Sequence, residues 1–263
     1  MGKYLATITN SMKKSLAYRA DTFIRMLATS FSFIVLFFLW TTIYGQGNQI
    51  GNYSLAQIIT YYVFVAIFEL LIMSLDVSWG IGEEIKNGQI IGSILKPINY
   101  LKYKFAQAVG GLTYRLIIFV PPLLVAVFLL RNYLTRAESM MTYVIFAAIA
   151  LVSFVLYFLI YFIAGVISFW TVDYHGPLYT FFTIVSFMQG TLLPLDLMPR
   201  WLLVVSQWSP FKFLFFVPVS FVTGRLSFDW SIILIPLIWC VGLSLLSLFL
   251  YLRGVKRYES YGI

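Results

Sequence analysis

Apolar residues in this chain come in runs long enough to cross a bilayer, and that feature limits the fold more than any other. A hydrocarbon slab of about 30 Å takes roughly 20 residues of helix. Runs of that order extend over 23–44, 55–77, 105–130, 140–172 and 230–252, with a shorter one at 179–193. Only 11% of the residues are charged, where a soluble domain carries roughly 25%. The chain reads as an all-α polytopic membrane protein with six transmembrane helices, folded as a single transmembrane domain over 1–263.

The formal net charge of +8 does not point to nucleic acid, because the basic residues form no stripe. They fall in short segments between runs and at both ends, the pattern of the positive-inside rule and of contact with anionic lipid. Five lie at the N-terminus, four in 78–104 and three in the tail 253–263, against five on the opposite side (Arg131, Arg136, Arg200, Lys212, Arg225). That bias puts both termini and the segment 78–104 in the cytoplasm, in a plasma-membrane, multi-pass topology. Cys240 is the single cysteine and sits in an apolar run, so it reads as a small filler. His175 has no second histidine or cysteine at ligand spacing, and no metal site is expected. The first apolar run starts after Arg25 and is too long for a signal-peptide core, so no cleavable signal is expected.

Residues 1–21 place Leu5, Ile8, Met12 and Leu16 at spacings of three and four, with Lys3, Thr7, Asn10, Lys13 and Lys14 mostly on the other side. This predicts an amphipathic helix lying on the membrane surface. The run at 140–172 has no charged residue and exceeds one crossing, which requires tilt or a part outside the bilayer. Between the fifth and sixth runs, 194–229 is apolar but broken by Pro194, Pro199, Pro210, Pro218 and Gly224. Pieces that short suit re-entrant helices dipping into the outer leaflet. Trp40, Tyr44 and Tyr53 would make an aromatic girdle on that side.

Charges inside lipid cost roughly 2.5–3.5 kcal/mol each, so they need partners or water. Glu69 and Asp76 lie in the second run and Arg115 in the third. At 1.5 Å per residue, Glu69 and Arg115 both fall about 12–16 Å deep and are candidates for an intramembrane charge pair. Such a pair locks two helices together or serves a substrate or proton path. Pro121 and Pro122 should kink the third span. No GxxxxGK[ST] loop, HExxH or GxSxG occurs, so the chain carries no visible engine for ATP hydrolysis or proteolysis and is not expected to be an enzyme.

The connector EIKNGQIIGSILKPI (84–98) and the stretch FMQGTLLPLDLMPRWLLVVSQWSPFKFLFFVP (187–218), with the surface helix before and the basic Arg-Tyr tail after, follow one order along nearly the whole chain. In these features the chain resembles the permease subunit of bacterial ABC-2 type transporters, in the small six-span branch that pairs with a separate ATPase. The resemblance implies an exporter in which two permeases, identical or paralogous, form the path. ABC ATPase subunits bearing ATP and Mg dock below, and the permease itself holds no cofactor. It also implies that Glu83, Glu84, Lys86 and Gly88 couple to the ATPase. Pro194, Leu195, Pro199 and Pro210 would scaffold the extracellular gate.

The residues of the connector support a coupling element on their own terms. Ile81, Ile85, Ile91 and Leu95 would share one helical face, with Glu83, Lys86 and Asn87 opposite and Ile90 and Ile94 on the polar side. Gly88 favours two short helical pieces, ended at Lys96-Pro97. Two other readings compete. A secondary transporter or channel would use Glu69 and Arg115 and need no partner. A membrane scaffold would transport nothing.

Overall fold

Helices carry this chain because its apolar runs must satisfy their own backbone groups. The computed structural model describes residues 2–47, 50–73, 76–95, 97–135, 139–171 and 173–259. Lys96, Arg136, Glu138 and the last tail residues 260–263 lie outside the described residues. No strand occurs among the described residues.

The surface stretch is helix α1 (Gly2–Ala17), which buries no residue. It is followed almost at once by α2 (Arg19–Gly45), which buries only Trp40. Phe23, Leu27, Phe31, Ile34 and Phe38 on α2 are about half or more exposed. A water-facing helix with that much apolar surface would aggregate, whereas lipid is a fitting solvent for it. Next, α3 (Leu55–Phe68) starts with a capping box: the Ser54 side chain accepts from Gln57 N–H, and the Gln57 side chain accepts from Ser54 N–H. Its last turn widens into a π-helical turn at Glu69–Met73, then α4 (Val77–Lys86) and the one-turn α5 (Ile91–Ile94) follow.

Asn99 caps the N-terminus of α6 (Tyr100–Leu129) by accepting from Lys102 N–H. The helix continues through Pro121 and Pro122. α7 (Met140–Val166) ends in a 3-10 turn at Ile167–Phe169, so the helix in the long charge-free run stops before Trp170. α8 (His175–Gln189) stops at Gly190, whose φ of 85° only glycine adopts cheaply. The prolines then divide the chain into pieces: a 3-10 turn at Leu195–Leu197, α9 (Arg200–Gln207), a second 3-10 turn at Phe211–Leu214 and α10 (Phe216–Val222). A long α11 (Ser231–Glu259) closes the chain.

Among the described residues, five stretches are long and apolar enough to cross a membrane: Arg19–Gly45, Leu55–Lys86, Tyr100–Leu129, Met140–Phe169 and Ser231–Tyr258. With 15 residues, α8 spans about 22 Å and is not one of them. The core forms around α7, which packs on α11, α4 and α10. Leu156, Tyr157, Phe158 and Phe162 of α7 are almost fully buried there.

Candidate functional site

The connector between the second and third long helices is held by its neighbours on one side and open on the other. Its chain bends at Gly88, where φ is +73°, a left-handed turn that any side chain would strain. The bend changes which residues point inward. Ile81, Ile85 and Ile90 are buried, whereas Leu95 is 79% exposed. The single face expected through Ile91 and Leu95 therefore gives way to one through Ile90, because the two pieces do not share a helix axis.

Two glycines let this element sit close. A Cβ on Gly165 of α7 would lie 2.9 Å from the Cα and carbonyl oxygen of Ser78. One on Gly82 would lie 2.6 Å from the Tyr174 ring. At the far edge the Tyr258 hydroxyl of α11 donates to the Ile85 carbonyl at 3.2 Å. The connector is thus fastened to α7, to the start of α8 and to the end of α11.

Glu83 and Glu84 are neighbours in sequence with opposite roles. Glu84 turns inward, accepting from the Tyr100 hydroxyl at 2.7 Å and pairing with the Lys104 ammonium at 2.5 Å. The Lys104 side chain is only 7% exposed, and Tyr100 stacks on Tyr251 of α11 with centroids 4.9 Å apart. Glu84 therefore ties α4 to α6 and, through the tyrosines, to α11. Glu83, Lys86 and Asn87 remain exposed. Lys86 lies over the Tyr174 ring at 5.7 Å. Nearby, His175 contacts Asp173 through its ring nitrogen at 2.7 Å and its backbone N–H at 3.1 Å. The hydrogen bond from the His175 side chain, then that from its backbone, holds the Asp173 carboxyl below its ordinary range. Sequence reasoning did not select Lys104, Tyr100 or Tyr258. Each meets the connector only after the helices pack.

Glu69 opens the π-helical turn. Arg115 lines a cavity of about 400 Å³ between α1, α4 and α6, and the carboxylates that share that lining are Asp76 and Glu84. Glu69 is not part of the lining. Asp76 also meets Arg25 of α2 at 3.3 Å.

At the opposite end, Pro194 precedes the 3-10 turn that buries Leu195, Pro199 caps α9, and Pro210 precedes the turn at Phe211–Leu214. A polar clamp joins this broken region to the chain before α3. Asp196 accepts from the Tyr53 hydroxyl at 2.8 Å and from Arg225 at 2.8 Å, and Arg225 also donates to the Asn52 carbonyl at 2.9 Å. The guanidinium lies 3.5 Å from the centre of the Tyr53 ring. Burial, then the Asp196 charge, pushes the Tyr53 hydroxyl well above its ordinary pKa, so it stays a donor. Tyr62 adds a bond to the Leu192 carbonyl at 3.0 Å.

Asp196→Ala removes two charge-assisted bonds from a partly exposed site. It is expected to cost about 1–2 kcal/mol and to speed amide exchange over 190–229 in hydrogen-exchange measurements, while the connector's exchange stays unchanged.

The family model described as "ABC-2 family transporter protein" matches residues 30–262. No curated protein and no solved structure matches the chain. The match spans the connector, the broken region and every long helix except the start of α2, and the chain belongs to the ABC-2 transporter family as a membrane protein of the permease type.

Proposed function

We propose that this chain is the permease subunit of an ATP-driven ABC-2 exporter, working as a dimer with a separate nucleotide-binding subunit that holds ATP and Mg. In this reading α8 makes a sixth crossing, short enough to need the apolar turns around it. Both termini and the connector face the cytoplasm of a bacterial plasma membrane, and α1 rests on that leaflet. Glu83, Lys86 and the bend at Gly88 present the surface on which the ATPase docks. Glu84 passes the movement into α6, and α11 carries it toward the other side. Pro194, Leu195, Pro199 and Pro210 frame the extracellular gate, which the Asp196–Arg225–Tyr53 clamp holds shut.

The observation that carries this reading is the division of labour in the connector. Its apolar face and Glu84 are fixed to three long helices, while Glu83 and Lys86 are exposed on its free edge. An element that only set topology would need basic residues but no such anchoring. Glu83→Lys, with the partner ATPase present, is expected to lower stimulated ATP hydrolysis about tenfold, the size of about 1.4 kcal/mol of lost docking energy. Insertion and thermal stability should stay as in the parent protein. Full stimulation in that variant would remove Glu83 from the docking surface.

A further inference from the structure

The broken region encloses a cavity of about 270 Å³ that adjoins the Asp196 clamp without being filled by it. Its walls come from the turn at Leu195–Leu197, from α9, from the turn at Phe211–Leu214 with the first residues of α10, and from the start of α11. Much of the lining is apolar, with Leu195, Leu203, Phe216, Val217 and Ile232 in it. The volume approaches the lower end of ordinary small-molecule sites, about 300–1,000 Å³.

Two polar groups in that lining lack what their chemistry requires. Lys212 is half-buried, and its ammonium lies 5.0 Å from the centre of the Phe213 ring. A ring face attracts the charge without neutralising it, and among the described residues no carboxylate pairs with Lys212. Asp196, the other charged group of the lining, already accepts from Tyr53 with one oxygen and from Arg225 with the other. Ser206 is 1% exposed, and its hydroxyl has no hydrogen-bond partner among the described residues. A buried hydroxyl left unpaired destabilises the fold, and a bound acceptor removes that loss.

A water molecule would satisfy the hydroxyl but not the charge. A purely apolar solute would fill the volume and leave both polar groups as they are. An oxyanion on an apolar chain meets all three demands: it accepts from the ammonium and the hydroxyl, and its chain packs on the walls.

We propose that this cavity binds an anionic amphiphile, with a carboxylate or phosphate at Lys212 and Ser206 and an apolar chain against α9, α10 and α11. Bound there, it would join the pieces that the prolines separate to the start of the last helix. The assignment uses neither the partner ATPase nor the connector. Its test is made on the permease alone, and its failure would leave the proposed coupling untouched.

Decanoate is the probe, with decanol, acetate and didecanoyl phosphatidylglycerol as comparisons, each titrated against the purified full chain in a neutral detergent. The unfolding temperature is followed, and bound decanoate is counted by native mass spectrometry. Decanoate should bind at one per chain and raise the unfolding temperature. Decanol, which lacks the charge, and acetate, which lacks the chain, should do neither at the same concentration. Lys212→Gln should weaken decanoate about tenfold, the loss of one charge-assisted bond, and Lys212→Arg should retain it. Arg200→Gln, at an exposed position of α9 outside the lining, should leave binding unchanged. Ser206→Ala should weaken decanoate about threefold, while the empty protein stays as stable as the parent or becomes more so, since no bond is lost there. Displacement of decanoate by the phosphatidylglycerol would identify membrane lipid as the source of the anion, and failure to displace it a free single-chain amphiphile.

Equal effects of decanoate and decanol would overturn the anion site in favour of simple partition. Equal losses in the Lys212→Gln and Arg200→Gln proteins would overturn it in favour of general surface charge. Decanoate carrying a diazirine at its chain end tests the cavity without any substitution. It should label residues within 195–217 or 226–235, and labelling confined to other helices would overturn the site.

Discussion

Replacing Lys104 with methionine is expected to destabilise the protein by about 2–4 kcal/mol, near the lower part of the range for breaking a buried pair. The side chain is only 7% exposed, and its removal takes the ammonium from Glu84, which keeps the Tyr100 hydroxyl as a donor. Glu84 is 24% exposed, so water softens the loss and the upper end of that range is not reached. Methionine keeps the length and apolar stem of lysine, which isolates the charge from the packing.

Glu84→Gln is the instructive companion. It retains an oxygen for Tyr100 or Lys104 and leaves a buried ammonium beside a neutral amide. The double variant Lys104→Met with Glu84→Gln should be less unstable than the sum of the singles, because it buries no charge without its partner. Thermal unfolding in detergent measures all four proteins. Additive losses would mean that Lys104 and Glu84 do not act as a pair. The coupling account adds a second readout: the double variant should insert and fold, yet couple poorly, since α4 and α6 would no longer be joined by charge.

Enlarging Gly165 should be nearly as damaging for a different reason. A Cβ there would lie 2.9 Å from three atoms of α4, two of them in the Ser78 backbone. Neither backbone atom can rotate away as the end of a flexible side chain could, so α4 as a whole must move. Gly165→Ala is expected to cost about 1–3 kcal/mol through overpacking, and Gly165→Leu more. Gly176→Ala is the control, since a Cβ at that position meets nothing within 4 Å and alanine favours helix. It should leave the unfolding temperature unchanged or slightly higher. A Gly165→Ala protein as stable as the parent would show that α4 does not rest on α7 at that point.

The membrane class was legible because lipid leaves so few options. Runs of about 20 apolar residues must become helices whatever their partners. The breaks were legible for the same local reason: Pro194, Pro199 and Pro210 lie at the starts of short elements, and Gly88 and Gly190 take positive φ. Span counting was less secure. The apolar run before Gly190 is less greasy than α7 and its helix has 15 residues, and hydropathy does not reveal where a helix stops.

The site required tertiary information. Glu83 and Glu84 are identical in type and adjacent, and only the position of α6 makes one an anchor and the other an exposed edge. Arg115 carried the right signal, a cation within an apolar run. Depth along two helices suggested Glu69 as its counterpart, and depth alone did not select Asp76 or Glu84. The carboxylates lining the Arg115 cavity are Asp76 and Glu84. The clamp of Asp196, Arg225 and Tyr53 was hidden for a similar reason: Tyr53 and Asp196 are 143 residues apart.

The central claim is that energy enters this chain from another protein through the connector. It is tested most directly by purifying the tagged chain from its native membrane under mild detergent and measuring ATP hydrolysis in the product. The account predicts a nucleotide-binding subunit at one copy per permease, with ATP hydrolysis that falls when Glu83 is reversed to lysine. A chain that purifies without any such subunit, and moves its solute in vesicles on an ion gradient alone, would contradict it.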